Sequence, residues 1–271
     1  MRRPSPSAVR WMLLAALLLL WELMPRTEIV PELFLPSLSK TLTVLWKDRV
    51  EYAENLLVTL YEVGVAMLIA CGAGILVGAL VGGIAVLRNL MLPVFSSLYA
   101  VPIVILYPIF TAWFGIGSES KIAFAGIYGF FPVMLSTAAG IRTIDPQYIL
   151  AARSMGATLA QQITRVIIPA SIPTVLAGLR LGGALTIIGV VVSEMLTASA
   201  GIGYLVTRYR TILDSPRVFA AILMILLLSI LFDLLARAVE RRTLVWQTAG
   251  RRGPSGARGT STTQMPAPAP V

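Results

Sequence analysis

Six long apolar stretches alternate with shorter polar ones along the chain, at residues 8–24, 56–81, 90–113, 122–140, 174–196 and 218–236. Each reaches or approaches the ~20 residues that an α-helix needs to cross the hydrocarbon of a bilayer. The pattern predicts an all-α membrane protein with six transmembrane helices. The polar stretches divide it further. Residues 1–24 form an N-terminus and first anchor, 25–55 an outer segment, 56–246 a core of five spans, and 247–271 a tail. In the outer segment "LPSLSKTLTVLWKDRVEYAEN", Ser37 or Ser39 can cap a short surface helix. The tail has no bulky hydrophobes except Met265 and Val271 and is expected to be disordered. Arg2, Arg3 and Arg10 before "WMLLAALLLLW" resemble a signal peptide. The following "ELMPRTE" offers no small-residue cleavage site, so the stretch reads as a retained anchor.

Residues within the stretches refine this picture. Gly74, Gly78 and Gly82, four apart in the second span, make a flat face for a close helix neighbour, within the chain or in a second subunit. Pro93, Pro102 and Pro108 remove backbone donors from the third span and break or kink it. Broken helices in lipid either line a water-filled path or are held by neighbouring helices. Pro102 and Pro108 are therefore candidates for a pathway lining. Glu22, Glu62, Arg180, Glu194 and Asp233 lie in or beside spans, where a charge costs at least about 2.5 kcal/mol unless it meets protein or water. Glu22, Arg180 and Asp233 sit near span ends. Glu62 lies deeper, and Glu194 is a candidate border of a substrate vestibule.

Composition agrees, with 57% hydrophobic and 13% charged residues. The net charge of +9 does not indicate nucleic acid, because the basic residues flank apolar runs and suit anionic lipid headgroups instead. With the N-terminus inside, Arg2, Arg3, Arg10, Arg88, Arg142, Arg153, Arg165, Arg237, Arg241, Arg242 and three tail arginines share the inner side, with Arg180 near it. Arg26, Lys40, Lys47, Arg49, Lys121, Arg208, Arg210 and Arg217 lie outside with most of the acids. Both termini are then expected in the cytoplasm. The single Cys71 precludes an intrachain disulfide, and the absence of histidine removes the commonest general base and metal ligand. An intramembrane hydrolase is disfavoured further because Lys40, Lys47 and Lys121 fall outside the spans or at an edge.

One polar stretch is too ordered for a plain connection. In residues 141–173, Asp145 occupies an N-cap position and Pro146 the first helical position. Gly156 supplies a helix stop or a left-handed turn. A second short helix is expected over 158–166, with Thr158 as its candidate cap and Pro169 and Pro173 separating it from the fifth span. Ala151 and Ala152 keep one side small and Arg153 offers charge, which suits a docking element.

Here the chain resembles the permeases of ABC importers, whose cytoplasmic signature reads glutamate, two alanines, three residues, glycine, nine residues, isoleucine, any residue, leucine, proline. Ala151, Ala152, Gly156, Val166, Ile168 and Pro169 fall on that spacing. Leu150 stands where the family has glutamate, removing whatever polar contact that glutamate makes. "VPIVILYPIFTAWFGIGSESKI", "FFPVMLSTAAGIRTIDP", "PASIPTVLAGLRLGGALTIIGVVVSEML" and "SAGIGYLV" are similar to the nitrate, sulfonate and taurine branch, over about residues 56–246. The resemblance implies a type I importer permease in a bacterial inner membrane. It implies a second permease subunit, two cytoplasmic ATPases docked on the loop through Leu150, Ala151, Ala152, Arg153, Gly156, Val166, Ile168 and Pro169, and an extracytoplasmic solute-binding protein. No cofactor is expected in the chain itself. It has no G-x-x-x-x-G-K-[ST] cradle, so ATP would be bound by the partner. An ion-coupled secondary carrier is the rival reading. It would need a mid-membrane ion site and often an internal repeat, and no clear repeat is visible.

Overall fold

The computed structural model describes residues 5–243; the expected tail 247–271 lies outside them. Eleven α-helices follow one another among the described residues. The first three are α1 (Pro6–Arg26), α2 (Leu38–Lys47) and α3 (Arg49–Gly83). A broken pair follows, α4 (Ala85–Tyr99) and α5 (Tyr107–Phe114), joined by a 3₁₀ turn at Ile103–Leu106. Then come α6 (Ser118–Arg142), the short α7 (Pro146–Ser154) and α8 (Leu159–Gln162), and finally α9 (Ile168–Thr197), α10 (Ile202–Thr211) and α11 (Ser215–Thr243). Five segments are long and apolar enough to cross a membrane, and the α4–α5 pair raises the number to six if it counts as one span.

That pair is the break that the prolines of the third span predict. Its halves are bent by 82°. Of its three prolines only Pro102 stands at the break, at the N-cap of the 3₁₀ turn. Pro93 lies inside α4 without ending it, and Pro108 falls in the first turn of α5, where a missing N–H costs nothing. Aromatic rings hold the bent piece to α6. Tyr107 and Phe110 pack edge-on to the fully buried Phe124, at centroid distances of 5.1 and 5.9 Å.

The core is the stack of α3 on α6 on α9. Glycine makes the first seam possible. A Cβ on Gly78 would lie 2.5 Å from the Met134 carbonyl oxygen, and one on Gly82 would lie 2.8 Å from Ala138 Cα. The Gly74/Gly78/Gly82 face is thus used within the chain, against α6. Val63, Ala66, Ala125, Ile187 and Val190 continue the core between the three helices.

At ~1.5 Å per residue the 35 residues of α3 extend about 52 Å, well beyond a ~30 Å hydrocarbon layer. Its first turns form a polar ledge with α2, α10 and the start of α11. Arg217 pairs with Asp48 at 2.8 Å and with Asp214, Arg208 pairs with Glu51 at 2.8 Å, and the Tyr52 hydroxyl donates to the Arg217 carbonyl at 2.8 Å. Beneath these, Tyr52, Leu205, Tyr209 and Ala220 make an apolar cluster. The long α1 is tied to the rest at this same end. Trp21 Nε1–H donates to the Pro36 carbonyl at 3.0 Å, and Glu22 accepts from the Ser39 backbone N–H and hydroxyl at 3.0 and 2.8 Å. Ser37 sits at the N-cap position of α2 but its side chain makes no capping bond, and Ser39 binds Glu22 rather than capping.

Candidate functional site

Two places gather the polar chemistry that the sequence singles out. The first is the segment between α6 and α9. Asp145 Oδ1 accepts from the Gln147 N–H at 2.9 Å, which starts α7. At its other end Gly156 adopts φ 76°, a left-handed conformation that suits glycine. The Gly156 N–H donates to the Arg153 carbonyl at 2.9 Å and the Ala157 N–H to the Ala152 carbonyl at 3.0 Å. These two bonds are those of a Schellman turn, which uses carbonyls a helix end otherwise leaves without partners. Thr158 then opens α8 with a capping box completed by Gln161.

The two short helices are clasped together. Buried Gln162 donates to the Ala157 carbonyl at 2.9 Å and accepts from Arg153 Nε at 3.3 Å. α8 is not a separate helix ended by prolines, as the sequence led us to expect. It runs through a π turn at Ile163–Ile167 directly into α9. The Ile168 N–H reaches back to the Ile163 carbonyl, five residues away, and this wider turn absorbs Pro169, which cannot donate. Leu150, Ala151, Arg153, Gly156 and Ile168 are exposed, while Ala152, Val166 and Pro169 are half-buried. Leu150, Met155 and Leu159 offer an apolar surface, Met155 being 87% exposed.

The second place is the end of the core next to α10, where ionisable groups are wholly enclosed. Glu62 on α3 is 0% exposed and pairs with Lys121 on α6 at 2.5 Å, Lys121 being 5% exposed. The Ser118 hydroxyl donates to the same Glu62 oxygen at 2.7 Å. Lys121, which charge counting alone placed in an outer loop or at a span edge, is therefore an interior residue. A carboxylate buried in lipid-facing helices demands a cation, and the lysine bordering an apolar run was the available signal.

Glu194 is enclosed as well, at 1% exposure. One of its oxygens accepts from the Gly203 N–H at 2.7 Å and the other lies 2.7 Å from the Thr59 hydroxyl. Thr59 in turn accepts from the Ile202 N–H at 2.9 Å, and Asn55 Oδ1 from the Gly201 N–H at 2.8 Å. Side chains of α3 and α9 thus cap the first turn of α10. The glycines of "SAGIGYLV" are explained by crowding: a Cβ on Gly201 would fall 2.1 Å from the Glu194 carboxylate and one on Gly203 2.4 Å from the Val191 carbonyl. Glu194 does border a recess of about 400 Å³ with Thr197, Tyr204 and Arg208, but its oxygens are committed to the tether. Pro102 and Pro108 are exposed on the bent pair, away from these bonds.

A third polar contact joins α9 to α11. Arg180 pairs with Asp233 at 2.5 Å, and Arg237 holds the other Asp233 oxygen at 2.7 Å. Arg180 and Asp233 edge a recess of about 470 Å³ lined by Leu181, Ile188 and Phe232. Among the described residues no group of three or more cysteine or carboxylate side chains comes together to hold a metal ion.

Comparison with known proteins places this architecture. The family model described as "binding-protein-dependent transport system inner membrane component" matches residues 71–245. The taurine transport system permease protein TauC of Escherichia coli (strain K12) is 32% identical over 240 residues, covering 86% of this chain and 87% of that protein. The formylaminopyrimidine transport permease protein ThiX of Halalkalibacterium halodurans is 30% identical over 231 residues, covering 85% and 92%. Among solved structures, that of an amino acid ABC transporter superposes with a TM-score of 0.61 at 19% identity, covering 74% of this chain and 97% of that one. The inward-facing MetNI methionine ABC transporter gives 0.58 at 17%, covering 68% and 94%. With α4 to α11, the broken crossing and the helical segment between α6 and α9 among them, all inside the matched residues, the chain belongs to the binding-protein-dependent transport system inner membrane component family.

Proposed function

We propose that this chain is the permease subunit of an ATP-driven importer, working as one of a pair to form the pathway for a small solute. Sulfonates, taurine, nitrate and related small organic molecules are the cargo class; two relatives are named for taurine and formylaminopyrimidine transport. A solute-binding protein delivers the cargo on the outer side. A separate ATPase docks on the segment between α6 and α9, at the surface that carries Leu150, Ala151, Ala152, Arg153 and Gly156. Both termini face the cytoplasm. Pro102 and Pro108, exposed on the bent pair, remain the proposed pathway lining.

The observation that carries this reading is the build of that segment. Capped at Asp145 and Thr158, turned at Gly156 and clasped by Gln162, it runs without a break into α9. Moving a two-state equilibrium from 1:99 to 99:1 takes about 5.5 kcal/mol of differential interaction. A floppy loop would dissipate such a shift, whereas a push on α7 and α8 is delivered through the π turn to a spanning helix that reaches the outer tether. The test is reconstitution in vesicles together with a candidate ATPase and a candidate solute-binding protein. ATP-dependent uptake of a sulfonate or taurine-like solute is expected. Uptake that needs only an ion gradient and proceeds without the ATPase would refute the reading.

A further inference from the structure

We infer that the ATPase partner receives Leu150 in an apolar pocket and sets a carboxylate of its own beside that pocket for Arg153. This deepens the docking proposed above and rests on it. The two side chains stand three residues apart on α7 and so share one face of that helix. Pro146, Gln147 and Ser154 complete the face, and all five residues are exposed. Leu150, 66% exposed, is its one large apolar side chain. The other side of α7 turns inward, where Ile149 and Ala152 are half-buried. An isolated exposed leucine means little. Here Met155 and Leu159, 87% and 69% exposed, follow at the turn and at the start of α8. A surface laid on lipid would be apolar throughout. Apolar centres set in polar surroundings are the make-up of a protein–protein contact.

Arg153 makes the fit specific. Its Nε donates to the Gln162 side-chain oxygen at 3.3 Å, and buried Gln162 is itself anchored to the Ala157 carbonyl at 2.9 Å. The guanidinium is thereby held in place, while its two terminal nitrogens have no partner among the described residues. A planar fork held this way matches a carboxylate with both nitrogens. Residue 150 decides where that carboxylate comes from. A glutamate there would lie three positions before Arg153 and pair with it inside α7. Leucine does not, so the guanidinium is left for another molecule. The segment holds no substitute. Asp145, the only acid in residues 141–173, caps α7 through the Gln147 N–H at 2.9 Å, and Arg142 and Arg165 add positive charge. The complement is an apolar floor with an acidic rim. An anionic lipid headgroup would also satisfy Arg153, but it gives Leu150 no pocket.

The measurement is the affinity of the full-length protein, in lipid nanodiscs, for the ATPase with which ATP-dependent uptake is obtained in vesicles. Leu150→Met, which keeps the apolar bulk, should bind as the wild type does. Leu150→Ala should bind about tenfold more weakly, the worth of one buried leucine. Leu150→Glu should bind more weakly still, since its carboxylate enters the pocket and also claims Arg153. Arg153→Lys keeps the charge but loses the fork and should lose affinity by about tenfold. If this ATPase binds the wild type but holds Leu150→Ala and Leu150→Glu equally well, or is indifferent to Arg153→Lys, the inference is overturned and the docking reading stands. If no ATPase binds the wild type, both fall. A second readout separates protein from membrane. In a Cys71→Ser background, a Leu150→Cys thiol should react with a water-soluble maleimide in nanodiscs alone and become protected once the ATPase is added. A thiol already shielded without the ATPase would put this face against lipid and overturn the inference.

Discussion

Gly78 and Gly72 sit on the same helix and differ by two turns' worth of surroundings. A Cβ on Gly78 would press on the Met134 backbone, which cannot step aside without moving α6, while around Gly72 there is open space. Gly78→Val is therefore expected to destabilise the α3–α6 seam by about 1–3 kcal/mol, the usual cost of overpacking. Gly72→Val should be nearly silent. Unfolding of the purified variants in detergent compares the two, and equal losses would contradict the assignment of this face to intrachain packing. The Glu62–Lys121 pair makes a sharper demand. Lys121→Met leaves a carboxylate buried without its cation, which costs about 3–5 kcal/mol. Lys121→Met with Glu62→Gln should recover most of that loss in the same unfolding measurement. Failure of the second change to rescue the first would mean that Lys121 acts through something other than Glu62.

Among the elements, those with a local cause were legible from residue order. Asp145 before Pro146, Thr158 before a short helix and Gly156 between them each announce a cap or turn from their own side chain or lack of one, and the structure has all three. The flat glycine face on α3 was legible for the same reason. The continuity of α8 into α9 was not, because two prolines argue for a stop and only the π turn, which depends on neighbouring packing, reconciles them. Nor was the partner of Glu62. Hydropathy draws the edge of the span beside Lys121 and assigns the lysine to solvent, whereas burial there is settled by α3 across the seam. The knuckle yields the next prediction. At Gly156 a β-branched residue clashes with nothing, yet must adopt a φ of 76°, at a cost of about 1–2 kcal/mol to a local turn. Gly156→Val should insert and fold normally, keep the α3–α6–α9 stack, and sever ATP hydrolysis from uptake in reconstituted vesicles. Wild-type transport by this variant would exclude the turn from coupling.

At the scale of the whole molecule the distribution of charge has to agree with the direction of the helices. The polar ledge binds most of its own charges, since Glu51, Asp48 and Asp214 each hold an arginine. The opposite end differs, because Arg142, Arg153 and Arg165 make no ion pair among the described residues and remain available to anionic headgroups or a partner. Free basic residues are what the positive-inside bias acts on, so this end is expected in the cytoplasm. The chain's single cysteine makes the point testable, because Cys71→Ser gives a background without thiols. In it, Tyr148→Cys on α7 and Ile29→Cys beyond α1 place exposed thiols at the two ends, the native side chains being 62% and 72% exposed. A membrane-impermeant maleimide should label Ile29→Cys in intact cells and Tyr148→Cys only in inverted vesicles. The reverse pattern would turn the knuckle away from any cytoplasmic ATPase, and the proposed route of force through α7, α8 and α9 would have no source.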